Sequence, residues 1–322
     1  MKDITGIHHI GLLVRDMGAA LAAFRRLGFR LGPPAYPALP PAPGADPEPV
    51  GAGNAHADFP RSFIELLAFA GDAARLPEDA ELVPLRVPDD QLAATRAVIG
   101  RTVSGLADRL AVAEGAHILV FTTGDAERTA ARLDAAGVPN SGARAAQRPI
   151  ATAGGTVMAE VRFLELHDRG LPDGLVPEGR VGAAEDAPAD LLDAQTGLEH
   201  PNGARAIAEC VVCVAPDRLA GTAERYGRYL GAAPDSDGPT PVFTLGSSRL
   251  VLTAADRFGD RYPGERPRTV PGIGACTVAV ADLAAAEAHL RGAGIRLGRS
   301  ADGRPFIPAA SALGLTIALT DG

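Results

Sequence analysis

The stretch Gly6–Asp16, with the sequence GIHHIGLLVRD, decides how the rest of the chain is interpreted. The residues from Ile7 to Val14 are typical of a short strand. Asp16 follows where a carboxylate can accept the free N–H groups of a first helical turn. Apolar residues then recur at helical spacing up to Gly28, which is typical of a helix end. The stretch therefore predicts a strand, an aspartate cap and a helix.

The same unit recurs three more times along the chain. Its aspartates and glycines are Asp125 and Gly137, Asp217 and Gly231, and Asp282 and Gly294. The distance from aspartate to glycine is 12 residues in units one, two and four, and 14 residues in unit three. In unit one, Gly53–Phe59 and Ser62–Phe69 read as later strands around the turn Pro60–Arg61. We infer four copies of a β-α-β-β-β module, and hence an α+β fold.

Composition and charge narrow the class of protein. The chain has 322 residues, enough for two domains with real cores, and its 46% hydrophobic content includes no apolar run near 18 residues. We therefore expect a soluble protein, and the lack of a signal-peptide pattern favours the cytoplasm. The net charge of −8 disfavours nucleic acid or an anionic membrane surface as a partner.

The three cysteines are too few for a disulfide framework, which agrees with a reducing compartment. Cys210 and Cys213 form a C-x-x-C pattern, but residues three apart on a strand point to opposite faces. We interpret these cysteines as core residues.

Four such modules, paired one with two and three with four, resemble the vicinal oxygen chelate superfamily, the fold of glyoxalase I. The resemblance is most specific in HIGLLVRD (residues 9–16) and FIELL (residues 63–67). A narrower likeness to bacterial glyoxalase-like domain proteins rests on the segments at 53–54, 114–117, 148–149 and 200–204. The resemblance implies two domains, at residues 1–200 and 201–322, each with a curved mixed sheet around a cavity.

The resemblance also implies a divalent metal in the cavity, held by the first-strand histidine and the last-strand acid of each paired module. In module one these positions match His9 and Glu65. Strand alternation agrees, because it places His9 and Ile10 on opposite faces and points His8 away from the site. A carboxylate amid Phe63–Leu66 is costly to bury unless it meets a cation or hydrogen-bond donors.

His56 is a further candidate for this site, on grounds that do not depend on the family resemblance. In a hairpin centred between Pro60 and Arg61, His56 lies directly opposite Glu65, and opposed residues share a face. His56 is therefore a candidate third ligand or general base, the alternative being a surface histidine held by Glu65.

Module two departs from the pattern. Counting back from its aspartate puts Ile118 at the ligand position, so His117 needs a bulge to turn inward. The second acid is either Glu165, in a copy of the module-one motif, or Glu185 if that copy is the third strand. We expect the ligands His9, Glu65, His117 and Glu165, with Glu185 as the alternative acid.

A site of two histidines and two glutamates suits Zn, Ni, Co, Mn or Fe(II). Such a metal polarises a carbonyl or enolate oxygen, while His56, Glu65 or Glu165 moves the proton. We expect a lyase or isomerase acting on a small oxygenated metabolite, with a dioxygenase as the next choice. Asn54, His56 and His200 are the candidate substrate contacts, and the protein is expected to be a monomer or homodimer.

Two other functions remain open. One is a metal-free protein that binds or sequesters a small molecule, as resistance proteins of this fold do. The low aromatic content of 4% disfavours this binding function, because planar drug molecules usually bind by stacking on aromatic side chains. The other is a degenerate relative without a metal.

The C-terminal pair of modules is expected to be a metal-free scaffold. The same count puts Cys210 and Ala275 at its first-strand positions, and Val251 and Ala318 at its last-strand positions. These side chains cannot hold a divalent ion, so we expect an apolar cavity filled by its own side chains, the alternative being a cavity that binds an uncharged ligand.

Overall fold

The computed structural model describes residues 3–71, 76–172, 174–235 and 239–322. The α-helices are α1 (Met17–Arg26), α2 (Leu92–Val112), α3 (Ala126–Ala135), α4 (Ala189–Asp193), α5 (Leu219–Leu230), α6 (Phe258–Arg261) and α7 (Leu283–Gly292). The strands of the first half are β1 (Ile4–Leu13), β2 (Ala35–Leu39), β3 (Glu48–Pro49), β4 (Ala52–Asp58), β5 (Phe63–Phe69), β6 (Glu81–Pro84), β7 (Gly115–Thr123), β8 (Arg144–Thr152), β9 (Gly155–Glu165) and β10 (Arg180–Glu185). The strands of the second half are β11 (Ala204–Val214), β12 (Val242–Leu245), β13 (Ser248–Ala254), β14 (Gly272–Val280), β15 (Gly298–Arg299), β16 (Pro305–Ile307) and β17 (Thr316–Asp321).

The strands form two mixed sheets. The first has the order β3-β2-β4-β5-β1-β7-β10-β9-β8, with β6 beside β2, and the second has the order β12-β13-β11-β14-β17-β16-β15. In each sheet the first strands of two modules pair antiparallel, and the last strand of each module runs parallel to its first. The predicted α+β fold of paired modules is confirmed.

The first sheet is strongly curved. Strands β4 and β8 are six positions apart in it, so a flat sheet would hold them roughly 29 Å apart at about 4.8 Å per strand. Yet Arg148 on β8 forms an ion pair with Asp58 on β4, with Nη2 and Oδ1 3.0 Å apart. The sheet has therefore closed into a trough with one concave face.

Aspartates begin three of the helices as the sequence predicts. Asp16, Asp125 and Asp282 each accept the backbone N–H three residues later, at 2.8–2.9 Å. Module three differs, because Pro216 begins a 3-10 turn and α5 starts only at Leu219. Asp217 is exposed and pairs with Arg218, so it is not the cap that its position in the repeat suggests.

The two sheets share one apolar core between their convex faces. It contains Leu21 and Phe24 of α1, Leu12 of β1, Tyr226 of α5 and Ile317 of β17, among others. The concave face of the first sheet is covered instead by α2, whose Leu106 and Leu110 pack on Leu13, Ile118 and Val120. Within the described residues, no helix is both long and apolar enough to cross a membrane.

Candidate metal centre

The hairpin of β4 and β5 brings His56 and Glu65 together as predicted. The two residues are direct partners in the antiparallel register, and their side chains meet, with Nε2 3.7 Å from Oε1. The ring of Phe63 stacks on the imidazoles of both His9 and His56, at centroid distances of 4.5 and 4.3 Å. Phe63 therefore contacts both histidines of the cluster.

Glu65 is the centre of the cluster. Its Oε1 accepts a hydrogen bond of 3.0 Å from Asn54 Nδ2, and its Oε2 lies 4.0 Å from His9 Nε2. A Cβ on Gly11 would lie only 2.9 Å from Oε2 and 2.8 Å from the Cβ of Ile118. The absence of a side chain at Gly11 thus makes room for the carboxylate between neighbouring strands.

His8 also belongs to the cluster, which corrects the expectation that it faces away. The pairing of β1 with β7 slips by one residue between Ile7 and His9. A bulge of this kind upsets strict alternation, so His8 Nδ1 reaches 2.8 Å from His9 Nδ1. His8 Nε2 lies 3.1 Å from Asp186 Oδ2.

The chain from Asp186 through His8 fixes the form of His9. In the neutral form of His8, Nε2 donates to Asp186, which leaves Nδ1 to accept from His9 Nδ1. His9 Nε2 then carries a lone pair on the side of Glu65. This is the arrangement that metal-binding histidines commonly have, with the second ring nitrogen donating to a neighbouring group.

Arg148 closes the cluster from the opposite wall of the trough. Its guanidinium bonds Asp58 and Asp186 and lies 5.1 Å from the centroid of Phe63. Glu65, Asp58 and Asp186 are three carboxylates facing one guanidinium. With neutral histidines, the cluster therefore carries an excess of two negative charges, which a divalent cation would neutralise.

The protonation states favour metal binding. Burial lowers the pKa of His9 to about 3, although the Glu65 carboxylate opposes the shift. Burial alone would raise the pKa of Glu65, but the neighbouring His56, His9 and Asn54 side chains lower it. Near neutral pH the pair is therefore a neutral imidazole and a carboxylate, the forms that coordinate metals.

The predicted ligands of module two lie elsewhere. His117 does occupy a bulge, where Gly11 pairs with Ile118 and Leu12 pairs with Ala116. Its Nε2, however, is bonded at 2.8 Å to the carbonyl of Ala113, the residue that ends α2. The bulge turns His117 towards the helix end and not towards Glu65.

Neither candidate acid of module two occupies the position that Glu65 has in module one. Glu65 pairs with Gly11 across the parallel strands, and the matching residue of β10 is Gly182, which pairs with Val120. Glu165 lies on the next strand, opposite Gly182, and forms an ion pair with Arg180 at 3.1 Å. Its place in the module is that of His56.

Glu185 has a helix-capping contact. Its Oε2 accepts a hydrogen bond of 2.9 Å from the backbone N–H of Ala126, the first residue of α3. The structure therefore brings His9, His56, Glu65 and Asn54 together, and places His117, Glu165 and Glu185 in other contacts.

His200 is a structural link between segments. Its Nδ1 accepts from the Arg30 N–H at 2.9 Å, and its Nε2 donates to the Asp58 carbonyl at 2.9 Å. Both ring nitrogens are thus engaged, and the ring packs edge-on to Phe29 and Phe59. The candidate substrate contact His200 thus has both ring nitrogens bonded to backbone groups of the protein.

Sequence reasoning missed three members of the cluster. Asp58, Arg148 and Asp186 come from β4, β8 and the end of β10, and tertiary structure brings them together. Arg148 was part of the narrower family likeness, which was the one signal available.

The cluster fits a metal incompletely. Within the described residues, no three His, Cys, Asp or Glu side chains are close enough together to hold an ion. Donor atoms around one ion lie about 3 Å apart when each is about 2.1 Å from it. The 4.0 Å from His9 Nε2 to Glu65 Oε2 closes to this spacing with a movement of about 1 Å. His56 Nε2 is buried without a hydrogen-bond partner.

The C-terminal domain differs from its prediction in one position. The register slip before Glu209 matches the slip before His9, so Glu209 and not Cys210 corresponds to the first-strand ligand. Cys210 is buried in the core between the sheets. The prediction counted seven residues back from Asp217 and reached Cys210 instead of Glu209. The error is one residue because the turn of module three begins at Pro216, the residue before the aspartate.

The chain is similar to known proteins in both sequence and fold. The sequence profile of the family described as "Glyoxalase-like domain" matches residues 7–230. The curated proteins contain no match. The solved structures that resemble the chain include a hypothetical protein from Staphylococcus aureus, with 11% identity, a TM-score of 0.58, and coverage of 98% of this chain and 99% of that one.

A mutant of 4-hydroxymandelate synthase from Streptomyces coelicolor has 16% identity and a TM-score of 0.54, and the match covers 99% of this chain and 92% of that one. A fusion of a xylose isomerase-like TIM barrel with 4-hydroxyphenylpyruvate dioxygenase has 12% identity and a TM-score of 0.53, with coverage of 100% of this chain and 50% of that one. At such identities the likeness shows the fold.

Proposed function

Because the chain belongs to the glyoxalase-like domain family, we propose that it is a metal-dependent enzyme acting on a small oxygenated metabolite. The observation that carries the proposal is the cluster of buried Glu65 with His9 and His56, with an unpaired ring nitrogen on His56 and an excess of negative charge. Lyase or isomerase chemistry is favoured, and dioxygenase chemistry is second.

Each residue of the candidate metal centre would have its own role. His9 and Glu65 would hold the ion, which would polarise a substrate oxygen. Asn54 holds one oxygen of Glu65 in place through its hydrogen bond. His56 Nε2 is the atom best placed to accept a substrate proton, because it is buried and lies 3.7 Å from a carboxylate that stabilises the resulting imidazolium.

The trough shields this cluster from water in part, since the side chains of Glu65, His9 and His56 are 10%, 15% and 26% exposed. Arg148 spans the trough from β8 to Asp58, and α2 covers the neighbouring part of the concave face. Phe63 contributes an aromatic ring to the site, and Arg148, 5.1 Å from the centroid of that ring, contributes a cation that suits an oxygen-bearing group. These features suit a compact substrate with a polar head.

The test is metal binding by the purified protein. After removal of bound metal and dialysis against Zn²⁺, Mn²⁺, Ni²⁺, Co²⁺ or anaerobic Fe²⁺, elemental analysis should find one ion per chain for at least one metal. Glu65→Gln and His9→Ala should each weaken binding by about 10-fold or more, because each removes a ligand.

Glu165→Gln is the matched control, since it changes a glutamate of the same sheet that is paired with Arg180. It should leave binding unchanged, and a loss equal to that of Glu65→Gln would support the four-ligand site predicted from the sequence. Wild-type protein that binds none of the five metals stoichiometrically would refute the proposal.

A metal-free binding protein is the second candidate. It is favoured by the finding that no three potential ligand side chains of the described residues meet closely enough for an ion. The same dialysis separates the two functions, because a metal-free binder takes up no stoichiometric metal.

A further inference from the structure

The C-terminal domain has an open cavity of its own on the concave face of the second sheet. The cavity has a volume of about 690 Å³, which lies in the range of small-molecule sites. Val251, in its floor, pairs with Val211 and Val242, just as Glu65 pairs with Gly11 and His56 in the first domain. The cavity thus lies where the candidate metal centre lies in the first domain.

The chemistry of this cavity is different. Valines replace Glu65 and His56, and a carboxylate, Glu209, replaces His9. The expectation of an apolar, filled cavity holds for the part of this face where Phe258 and Phe306 pack with Val251. It does not hold for the open part, where Glu209 lies in the wall with several arginines.

Glu209 is not free to bind a cation. Its side chain is 2% exposed, and it bonds Arg261, Thr277 and Arg249. The Arg249 contact is 3.0 Å, from Nη2 to Oε2. A buried carboxylate with three donors is satisfied, so its effect is to hold the two guanidinium groups in place.

The guanidinium groups remain accessible from the cavity. Arg249 is 48% exposed and Arg261 is 29% exposed, and each guanidinium has five N–H donors in a planar fork. The other charged groups of the described wall form local pairs, Arg257 with Asp260 and Arg304 with Asp302. Two arginines around one glutamate leave the cavity with an excess positive charge, in a protein whose net charge is −8.

We propose that this cavity binds a small organic acid. Its carboxylate would lie on the free edges of Arg249 and Arg261, which suit bidentate binding of such a group. Its apolar body would lie on Val242, Val251 and Leu219, which line the same cavity. The site is separate from the candidate metal centre, so it does not depend on the proposed function.

The experiment uses benzoate as the probe, with benzamide as an uncharged molecule of nearly the same shape. Isothermal titration of the full chain with benzoate should give saturable binding of one molecule per chain. Benzamide should bind about 10-fold or more weakly, because it lacks the charge that the guanidinium groups recognise.

Two variants locate the benzoate. Arg249→Gln removes one guanidinium while Arg261 still pairs with Glu209, and should weaken benzoate binding by about 10-fold. Val242→Phe fills the floor of the cavity and leaves every charge in place, so it should abolish binding. Arg218→Gln, which changes an exposed arginine of the same domain outside the cavity, is the matched control and should have no effect.

Glu65→Gln should also leave benzoate binding unchanged, which separates this site from the candidate metal centre. Loss of binding in that variant would place benzoate in the first domain and overturn the proposal. So would equal binding of benzamide and benzoate, unchanged binding in both cavity variants, or no saturable binding of benzoate.

Discussion

Among single residues, Gly11 sets how closely Glu65 can lie to the neighbouring strands. The sequence pattern identified His9 and Glu65, but it gave no reason why Gly11, the strand partner of Glu65, is a glycine. In the structure a Cβ at this position would contact both Glu65 Oε2 and Ile118, at distances under 3 Å. Real Cβ atoms do not approach that closely, so a substitution must displace the carboxylate or the strand.

We therefore predict that Gly11→Ala destabilises the protein by about 1–3 kcal/mol and weakens metal binding. Urea unfolding and the dialysis experiment measure the two effects. Gly6→Ala on the same strand is the control, because its nearest neighbour, Thr122 Oγ1, would be 3.5 Å from the new Cβ. Equal stability and metal binding in both variants would show that the space at Gly11 is not required.

Among the elements, the repeated aspartates are equivalent in sequence but not in structure. Asp282 accepts the Ala285 N–H at 2.9 Å and begins α7, whereas Asp217 lies in a 3-10 turn and is exposed. The difference arises from Pro216, which begins the turn one residue before the aspartate and so places Asp217 inside the turn.

Asp282→Ala should cost about 1 kcal/mol of unfolding free energy, because it leaves a donor of the first helical turn without its partner. Asp217→Ala should cost less than about 0.5 kcal/mol, since an exposed ion pair contributes little. Denaturant unfolding of the two variants side by side measures the difference. A cost at Asp217 as large as that at Asp282 would contradict the cap assignment.

For the whole molecule, two reciprocal hydrogen bonds tie the sheets together. Ser248 Oγ accepts the Ile7 N–H at 3.0 Å, and Ser62 Oγ accepts the Ile207 N–H at 3.2 Å. The amides of Ile7 and Ile207 lie at the register shifts of β1 and β11, where a bulge leaves a backbone N–H without a partner in its own sheet. In each case a serine from the other half of the chain accepts the hydrogen bond. All four residues are buried.

Ser62→Ala and Ser248→Ala should each cost about 1–3 kcal/mol, because each leaves a buried N–H unpaired. Both variants, like the wild type, should unfold in a single transition by fluorescence and circular dichroism, since one apolar core joins the two domains. Ser104→Ala, an exposed serine on α2, is the control with little expected effect. Two separate transitions in the wild type would refute the shared core.

The modules, the hairpin register and the candidates His9, His56 and Glu65 could be predicted from the amino-acid sequence alone. These follow from local rules: strand alternation, helix caps and a symmetric turn each relate residues that are close along the chain. The opposition of His56 and Glu65 needed only the turn at Pro60–Arg61, and the structure has it.

The other features of the site depend on how distant parts of the chain pack together. The motif around Glu165 copies that around Glu65, yet it lies on β9 because β10 takes the place beside β7. A bulge turned His8 into the cluster and His117 towards the end of α2. The curvature of the sheet brought Arg148 to Asp58 and Asp186. Strand order, bulges and curvature depend on contacts between residues far apart in the chain, which no local pattern specifies.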